Sequence, residues 1–339
     1  MLAWLVLGDA MIITRAPLRI PLGGGGTDLP SYYSKYGGFI VSAAIDKYIF
    51  VNLNRPKTDD LIRLKYSDPE VVSQLDEVRH PLCREALRYV GIDRNVEIAS
   101  LADVPAGTGL GSSGSFLVGL LIALHALQRR NVSTQALAEA ACTIEIERAG
   151  QPVGKHDQYL AAFGGLTCLE IDRDGSVHVH PLEISQHTAE ELRNSALVFF
   201  TGIVRRSFDI LQQQQTDTAA GDAAVIDSLH NTKEIGLEIK RALERGDVDC
   251  FGELLDVHWR NKKRRSGKIS DAHLDEVYEL ARKSGALGGK LMGAGGGGFF
   301  LFYCPNGQKA RLRDAMASAG LREMSFDFDY EGAKVLLNV

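Results

Sequence analysis

Apolar positions along the chain fall into two kinds of run. Short, dense runs predict strands at 11–15, 38–54, 61–66, 95–101, 166–172, 196–201 and 298–304. Apolar residues recurring every three or four positions predict helices over 115–130, 134–149, 222–245, 247–261 and 271–284. Strands and helices are grouped rather than strictly alternating, so the pattern predicts a mixed α+β chain and argues against a doubly wound parallel sheet. A polar stretch, Pro181-Leu-Glu-Ile-Ser-Gln-His-Thr188, breaks the pattern and marks a domain joint near 181–194. Gln212–Gln215 is low in complexity. With Thr216–Gly221 it reads either as a mobile loop over one edge of a cleft or as a solvated helix end. The apolar helix at 115–127 holds His125 and runs into Gln128-Arg-Arg130, which marks it as buried core rather than a membrane span. Met1-Leu-Ala-Trp-Leu-Val-Leu7 is apolar but lacks the basic start and the length of a signal peptide. Residues 1–10 are read as an extension, with Met11 a second candidate start.

One apolar helix is preceded by a segment with its own chemistry. Asp103-Val-Pro-Ala-Gly-Thr-Gly-Leu-Gly-Ser-Ser-Gly-Ser115 places Gly107, Gly109, Gly111 and Gly114 directly before the helix marked by Leu117, Leu120, Leu121 and Leu124. Glycines let a backbone turn sharply and come close to an anion, and a helix N-terminus offers it free amides, so the segment reads as a phosphate cradle. Ser112, Ser113 and Ser115 can cap the helix or reach a phosphate-bound cation. Gly109, Gly111 and Gly114 also satisfy G-x-G-x-x-G, but a dinucleotide site needs a second strand ending in an acidic residue about 20 positions on, where residues 133–149 read as helix. No Walker loop is present, since Lys155 and Lys290 each follow a glycine but precede His156 and Leu291. A glycine-rich turn serving only packing is the remaining alternative.

Two further glycine-rich segments lie far off in sequence. Arg15-Ala-Pro-Leu-Arg-Ile-Pro-Leu-Gly-Gly-Gly-Gly-Thr-Asp-Leu-Pro30 starts like a strand and continues as a loop that a ligand can approach, where Thr27 and Asp28 supply acceptors for sugar hydroxyls. Gly288-Gly-Lys-Leu-Met-Gly-Ala-Gly-Gly-Gly-Gly298 sits between a helical pattern and the strand-like Phe299–Tyr303, too tightly for a flexible linker.

In order and spacing these three segments resemble the GHMP small-molecule kinase superfamily, which includes galactokinase, homoserine kinase and mevalonate kinase. The matching stretches are Ala16–Arg19 with its glycine run, Pro105–Ser115, and Lys290–Gly298, so the resemblance covers nearly all the chain from residue 11. The forms Gly23–Pro30, Gly154-Lys-His-Asp-Gln-Tyr159 and Gly293–Gly298 look most like the heptose 7-phosphate 1-kinase branch, with sugar 1-kinases acting on fucose as close relatives.

The resemblance implies a two-domain α+β fold: a ribosomal-S5-domain-2-like N-terminal domain over 11–185 and a ferredoxin-like C-terminal domain over 186–339, with ATP and substrate meeting between them. It implies ATP binding by Pro105, Gly107, Thr108, Gly109, Gly111, Ser112, Ser113, Gly114 and Ser115. Asp157 matches the family's catalytic carboxylate, as a base or as a group that positions the nucleophile, and Arg19 the basic residue paired with it. Mg2+ would be held by Ser113 and a glutamate before Gly150, with Glu145 favoured over Glu147. Two residues along a helix turn a side chain by about 200°, so only one of the two can face the cleft. Substrate contacts are expected from Gly25, Gly26, Thr27, Asp28, Lys155, His156, Lys262, Lys263, Gly293, Gly295 and Gly296. The implied reaction is phosphorylation of the C1 hydroxyl of a sugar phosphate, D-glycero-D-manno-heptose 7-phosphate, for nucleotide-activated heptose. A fucokinase- or galactokinase-like sugar 1-kinase is the alternative within enzymes, and a non-catalytic nucleotide and sugar sensor the alternative outside them.

Composition narrows the partners. With 339 residues, 45% of them hydrophobic, and a net charge of −5, the chain has no basic stripe of the kind a nucleic acid requires. Its five cysteines show no C-x-x-C spacing, which suits structural thiols in a reducing compartment, the cytoplasm. Monomer and homodimer both remain open. His258-Trp-Arg-Asn-Lys-Lys-Arg-Arg265 carries five positive side chains. It reads either as a solvated face or as an anchor, through Lys262, Lys263 or Arg264, for a phosphate on the acceptor, with Lys155 a competing anchor.

Overall fold

A computed structural model of the chain describes residues 11–204 and 208–339; the expected extension at 1–10 lies outside them. The first sheet is built from β1 (Ile12–Gly23), β2 (Gly38–Asn54), β3 (Ile62–Lys65), β4 (Glu70–Val72), β5 (Val96–Ala102), β6 (Leu166–Ile171) and β7 (Val177–Pro181). The second contains β8 (Ala196–Phe200), β9 (Gly288–Leu291), β10 (Phe299–Tyr303) and β11 (Arg322–Glu323), in the order β11-β8-β10-β9 and antiparallel throughout. A last strand, β12 (Lys334–Asn338), returns to the first sheet and pairs with β1, Ile12 opposite Asn338. The helices are α1 (Pro30–Tyr36), α2 (Pro81–Val90), α3 (Ser112–Leu127), α4 (Thr134–Cys142), α5 (His156–Phe163), α6 (Gln186–Ser195), α7 (Phe208–Ala219), α8 (Ala223–Glu244), α9 (Val248–Lys263), α10 (Ala272–Lys283) and α11 (Lys309–Ser318).

β2 organises the first sheet because it is long enough to serve two neighbours on one side. Gly38–Ala43 pairs with β6 and Ile49–Asn54 with β5, while β1 runs along its other edge. The β1–β2 register shifts at Pro17/Leu18 and at Pro21/Gly23, where proline has no N–H to offer the ladder. α3 is apolar all round, with Leu117, Val118, Leu120, Leu121, Ala123 and Leu124 fully buried, as a helix enclosed on every side must be. Gly119 lets it approach β1 closely enough for Thr14 Oγ1 to donate to the Gly119 carbonyl at 2.8 Å. In the second sheet β10 alternates: Phe299, Leu301 and Tyr303 enter the core shared with the first sheet, whereas Phe300 and Phe302 pack with Trp259, Tyr278, Leu312 and Met316 in a core of their own. Both faces of this sheet are therefore buried, which fixes its position against the first.

Two expectations are corrected, and of the two readings of Gln212–Gln215 the helical one holds. Residues 186–339 are not wholly one domain, because Asp329 bonds the Ala44 backbone and β12 joins the first sheet. Gln212–Gln215 lies inside α7 rather than in a mobile loop, held by buried Ile210 and Thr218 and by Gln214 Nε2, which donates to the Gly26 carbonyl at 3.5 Å. The helix expected at 134–149 keeps ordinary pitch only to Cys142, and Thr143–Arg148 widens to i→i+5 hydrogen bonds. The polar stretch at 181–194 lies between β7 of the first sheet and β8 of the second; it ends β7 and starts α6, where Ser185 Oγ accepts from the Thr188 amide at 3.0 Å.

Candidate active site

The segment between β5 and α3 turns through three left-handed glycines, Gly107, Gly109 and Gly111, with φ of 78°, 84° and 83°. Among the described residues, Gly111 precedes the helix without any side-chain cap, so the first amides of α3 stay free, and Ser112 Oγ is buried without a partner. Two predicted ligand residues instead hold the loop together. Thr108 Oγ1 donates to the Pro105 carbonyl at 2.9 Å, and Ser115 Oγ donates to the Pro17 carbonyl at 2.7 Å. The Arg19 amide also donates to the Leu110 carbonyl at 3.0 Å, which ties the loop to β1.

That tether brings Arg19 against Asp157 in the first turn of α5. Arg19 Nε and Nη2 lie 2.8 and 2.7 Å from the same oxygen, Asp157 Oδ1, while Nη1 donates to the Gly109 carbonyl at 2.6 Å. The guanidinium thus joins the carboxylate to the glycine loop, and Oδ2 is the oxygen left for an acceptor hydroxyl. A Cβ on Gly111 would stand 3.1 Å from Asp157 Cγ, so the loop lies directly on the pair. His156 Nδ1 is 3.5 Å from Oδ1, and burial with Arg19 and Lys290 nearby holds its pKa well below the usual histidine value, so the ring is neutral. Asp28 accepts from the amides of Gly26 and His156 at 3.0 and 3.2 Å, with its pKa raised by burial and by Asp157.

These groups open on one cavity of about 830 Å³ between the two sheets. Its walls include Arg19, Gly25, Gly26, Asp28, His156, Asp157, Gly107, Gly109, Gly111, Ser112, Ser113, Lys262 and Gly293 from the expected set, and also Lys65, Tyr66, His80, Phe116, His258, Arg265 and Lys290. Two family models match the chain: GHMP kinases N terminal domain over residues 78–165 and GHMP kinases C terminal over 239–321. A D-glycero-alpha-D-manno-heptose 7-phosphate kinase of Campylobacter jejuni is 31% identical over 334 residues, covering 95% of this chain and 98% of its own.

The chain belongs to the GHMP kinases.

It is accordingly an ATP-dependent sugar kinase that transfers phosphate to a hydroxyl. The crystal structure of a D-glycero-D-manno-heptose 1-phosphate kinase from Bacteroides thetaiotaomicron matches this GHMP kinase with a TM-score of 0.78 at 26% identity, over 96% of this chain and 99% of that one. A bifunctional fucokinase/GDP-fucose pyrophosphorylase of Arabidopsis thaliana is 26% identical over 87% of the chain, which spans 30% of that longer protein. No helix among the described residues is long and apolar enough to cross a membrane.

Several residues expected to touch ligands in the GHMP kinase are placed elsewhere. Lys155 Nζ donates to the Gly175 carbonyl at 2.5 Å, lies 3.6 Å from Glu139 and sits over the Tyr33 ring, away from the cavity. Lys263 pairs with Asp275 at 2.9 Å, and Arg264 is exposed. Thr27 is fully buried, its hydroxyl donating to the Gly24 and Phe39 carbonyls. Pro105 is exposed at the rim; Gly114 packs on Asp157, where a Cβ would come within 2.7 Å of Asp157 Cβ; Gly295 packs on Ile269. The Gly296 amide is bonded to the Ile269 carbonyl. Glu145 is buried, bonded by Ser113 and by Gln158 Nε2 at 2.7 Å, whereas Glu147 faces solvent.

Three cavity residues escaped the sequence reading as substrate groups: His258, Arg265 and Lys290. The signal for the first two was present in the charge run: His258 stands one helical turn before Lys262 in α9, and Arg265 closes the run in the turn just past the helix. Lys290 was visible only as a lysine after a glycine.

Proposed function

We propose that this kinase transfers the γ-phosphoryl group of ATP to the anomeric C1 hydroxyl of D-glycero-D-manno-heptose 7-phosphate, giving the 1,7-bisphosphate for nucleotide-activated heptose synthesis. The observation that carries the reading is the Arg19–Asp157 pair, seated between the glycine loop and the Gly23–Pro30 segment, whose Asp28 accepts from the amide of His156 next to Asp157. ATP phosphates lie on the free amides of α3 and the turn at Gly107–Gly111, with Arg19 facing the transferred group. The acceptor hydroxyl donates to Asp157 Oδ2 and is aimed along the line of displacement. Phosphoryl transfer through a loose transition state asks little of a base early on, so Asp157 orients the oxygen first and takes its proton as the new P–O bond forms. Arg19 stabilises charge on the transferring group without reorganising, because Asp157 and the Gly109 carbonyl already fix it.

The residues at the start of α3 also fit a magnesium ion. Glu145 is a buried carboxylate with no cation partner among the described residues, Ser113 bonds to it and Ser112 Oγ is orphaned, an all-oxygen donor set of the kind Mg2+ takes. Ser113 and Glu145 would hold the ion, which supplies charge neutralisation of the ATP phosphates when bound. The protein works in the cytoplasm, as a monomer or homodimer.

A coupled assay of ADP release over heptose 7-phosphate, unphosphorylated heptose, fucose and galactose tests the reading. Heptose 7-phosphate should give the highest kcat/KM. A neutral sugar turned over as well or better would move the assignment to a plain sugar 1-kinase.

A further inference from the structure

Three cations meet in the cavity without a carboxylate of their own among the described residues. Lys262, Arg265 and Lys290 are 7%, 7% and 2% exposed. Lys262 Nζ donates to the Leu291 and Gly293 carbonyls at 3.0 and 2.6 Å, and Lys290 Nζ to the Leu22 carbonyl at 2.9 Å. Arg265 Nε donates to Ser228 Oγ at 3.0 Å, Nη1 to the Gly25 carbonyl at 3.4 Å, and Nη2 bonds Thr232 Oγ1. Each cation keeps donors to spare, since an ammonium has three N–H groups and a guanidinium five. His258, one turn before Lys262 and 3% exposed, has no partner on either ring nitrogen among the described residues.

The carboxylates that line the cavity are already engaged, Asp157 by Arg19 and Asp28 by two backbone amides. Buried unpaired charges of one sign are costly, and three together with an orphaned imidazole form a site built for an anion that enters from outside.

We propose that His258, Lys262, Arg265 and Lys290 form the subsite for the acceptor's own phosphate. This rests on the reading of the acceptor as a sugar phosphate. Location separates the subsite from the ATP phosphates. Those have the amides of α3 and Arg19, whereas Arg265 reaches the Gly25–Gly26 turn that leads into Asp28, the acceptor for sugar hydroxyls. A phosphate held here and a hydroxyl held at Asp157 grip the two ends of one molecule. The electrostatics agree: burial, then Arg265 and Arg19, bring Lys262 down to about 7, and burial with the three cations holds His258 well below the ordinary histidine value. A phosphate dianion relieves that repulsion.

The test is calorimetric titration of heptose 7-phosphate, unphosphorylated heptose and a non-hydrolysable ATP analogue into wild type, Lys262→Met and Arg265→Met, each folded by thermal melting. Should Arg265→Met fail to fold, Lys262→Met and His258→Gln carry the comparison. Each variant should bind heptose 7-phosphate at least tenfold more weakly, while heptose and the ATP analogue stay within about twofold. Retained preference for the phosphorylated sugar in the variants, or an equal loss of the ATP analogue, would overturn the subsite and leave the proposed function standing. Equal affinity of wild type for both sugars would overturn the sugar-phosphate reading itself, and the subsite with it.

Discussion

Gly293 lies against Gly109 so closely that a Cβ built on Gly293 would stand 2.5 Å from the Gly109 Cα. The contact repeats nearby: a Cβ on Gly109 would meet the Met292 carbonyl oxygen at 2.7 Å, and one on Gly298 the Thr108 carbonyl oxygen at 2.2 Å. Two segments almost two hundred residues apart therefore interlock backbone to backbone, and the later glycines shape the phosphate loop from behind.

Gly293→Ala should consequently act on the nucleotide. The added methyl pushes the loop away from α3, and φ of 68° at Gly293 adds strain of about 1–2 kcal/mol for an L-residue. KM for ATP should rise about tenfold or more, with a smaller change in KM for the acceptor and a lower Tm. Steady-state kinetics and calorimetry with an ATP analogue check this; an effect confined to acceptor KM would assign Gly293 to the substrate instead.

Asp157→Asn should lower kcat by roughly 10²–10⁴, the usual worth of a positioned proton acceptor, and leave ATP-analogue affinity almost unchanged. Arg19 loses its carboxylate but keeps the Gly109 carbonyl. Retention of more than about a tenth of the wild-type kcat would remove Asp157 from the chemistry.

The parts of this fold that could be read in advance are those fixed by local pattern. Strands 38–54 and 166–172 and the helix at 222–245 follow from apolar runs and periodicity, and the structure places them within a residue or two. The positive φ angles at Gly107, Gly109 and Gly111 follow from glycines set ahead of an apolar helix. What could not be read depends on distant partners. β12 is largely exposed and forms because β1 leaves an open edge, and Lys263 faces Asp275 while its neighbour Lys262 faces the cavity, a difference set by the side of α9 that packs on β9, where Lys262 reaches the Leu291 carbonyl. A charge run identifies a cationic region; only packing selects which of its members is buried without a counterion.

Glu145 and Glu147 illustrate the same selection, and they separate in a magnesium titration. Glu145→Gln and Ser113→Ala should each raise the magnesium concentration giving half-maximal rate several-fold, whereas exposed Glu147→Gln should leave it unchanged. Direct Mn2+ binding in the presence of an ATP analogue, followed by electron paramagnetic resonance, provides a readout apart from turnover. A shift in Glu147→Gln with none in Glu145→Gln would reverse the assignment.

The contribution of Lys262 to the stability of the free protein should climb with pH on the alkaline side of neutrality. Lys262 is brought down to about 7 by burial and then by Arg265 and Arg19, while an unfolded chain binds the same proton up to about 10.5. Between these values the unfolded state carries a proton that the folded state does not, so this group's contribution to the free energy of unfolding rises with pH across this window and adds no slope below 7. Lys290, which faces Lys262, Arg19 and Arg265, is lowered as well and acts in the same direction. Urea denaturation from pH 7 to 10 of wild type and Lys262→Met isolates this contribution: burial raises the thiols of Cys83, Cys142 and Cys168 and opposes the rise equally in both proteins, so the wild-type curve should rise relative to that of the variant. A saturating sugar phosphate should flatten that relative rise, because a dianion beside the ammonium groups restores their affinity for protons and draws protons in on binding. A slope identical in wild type and Lys262→Met would mean that Lys262 stays charged in the free enzyme, and that the cavity tolerates its cations without the repulsion assigned to them.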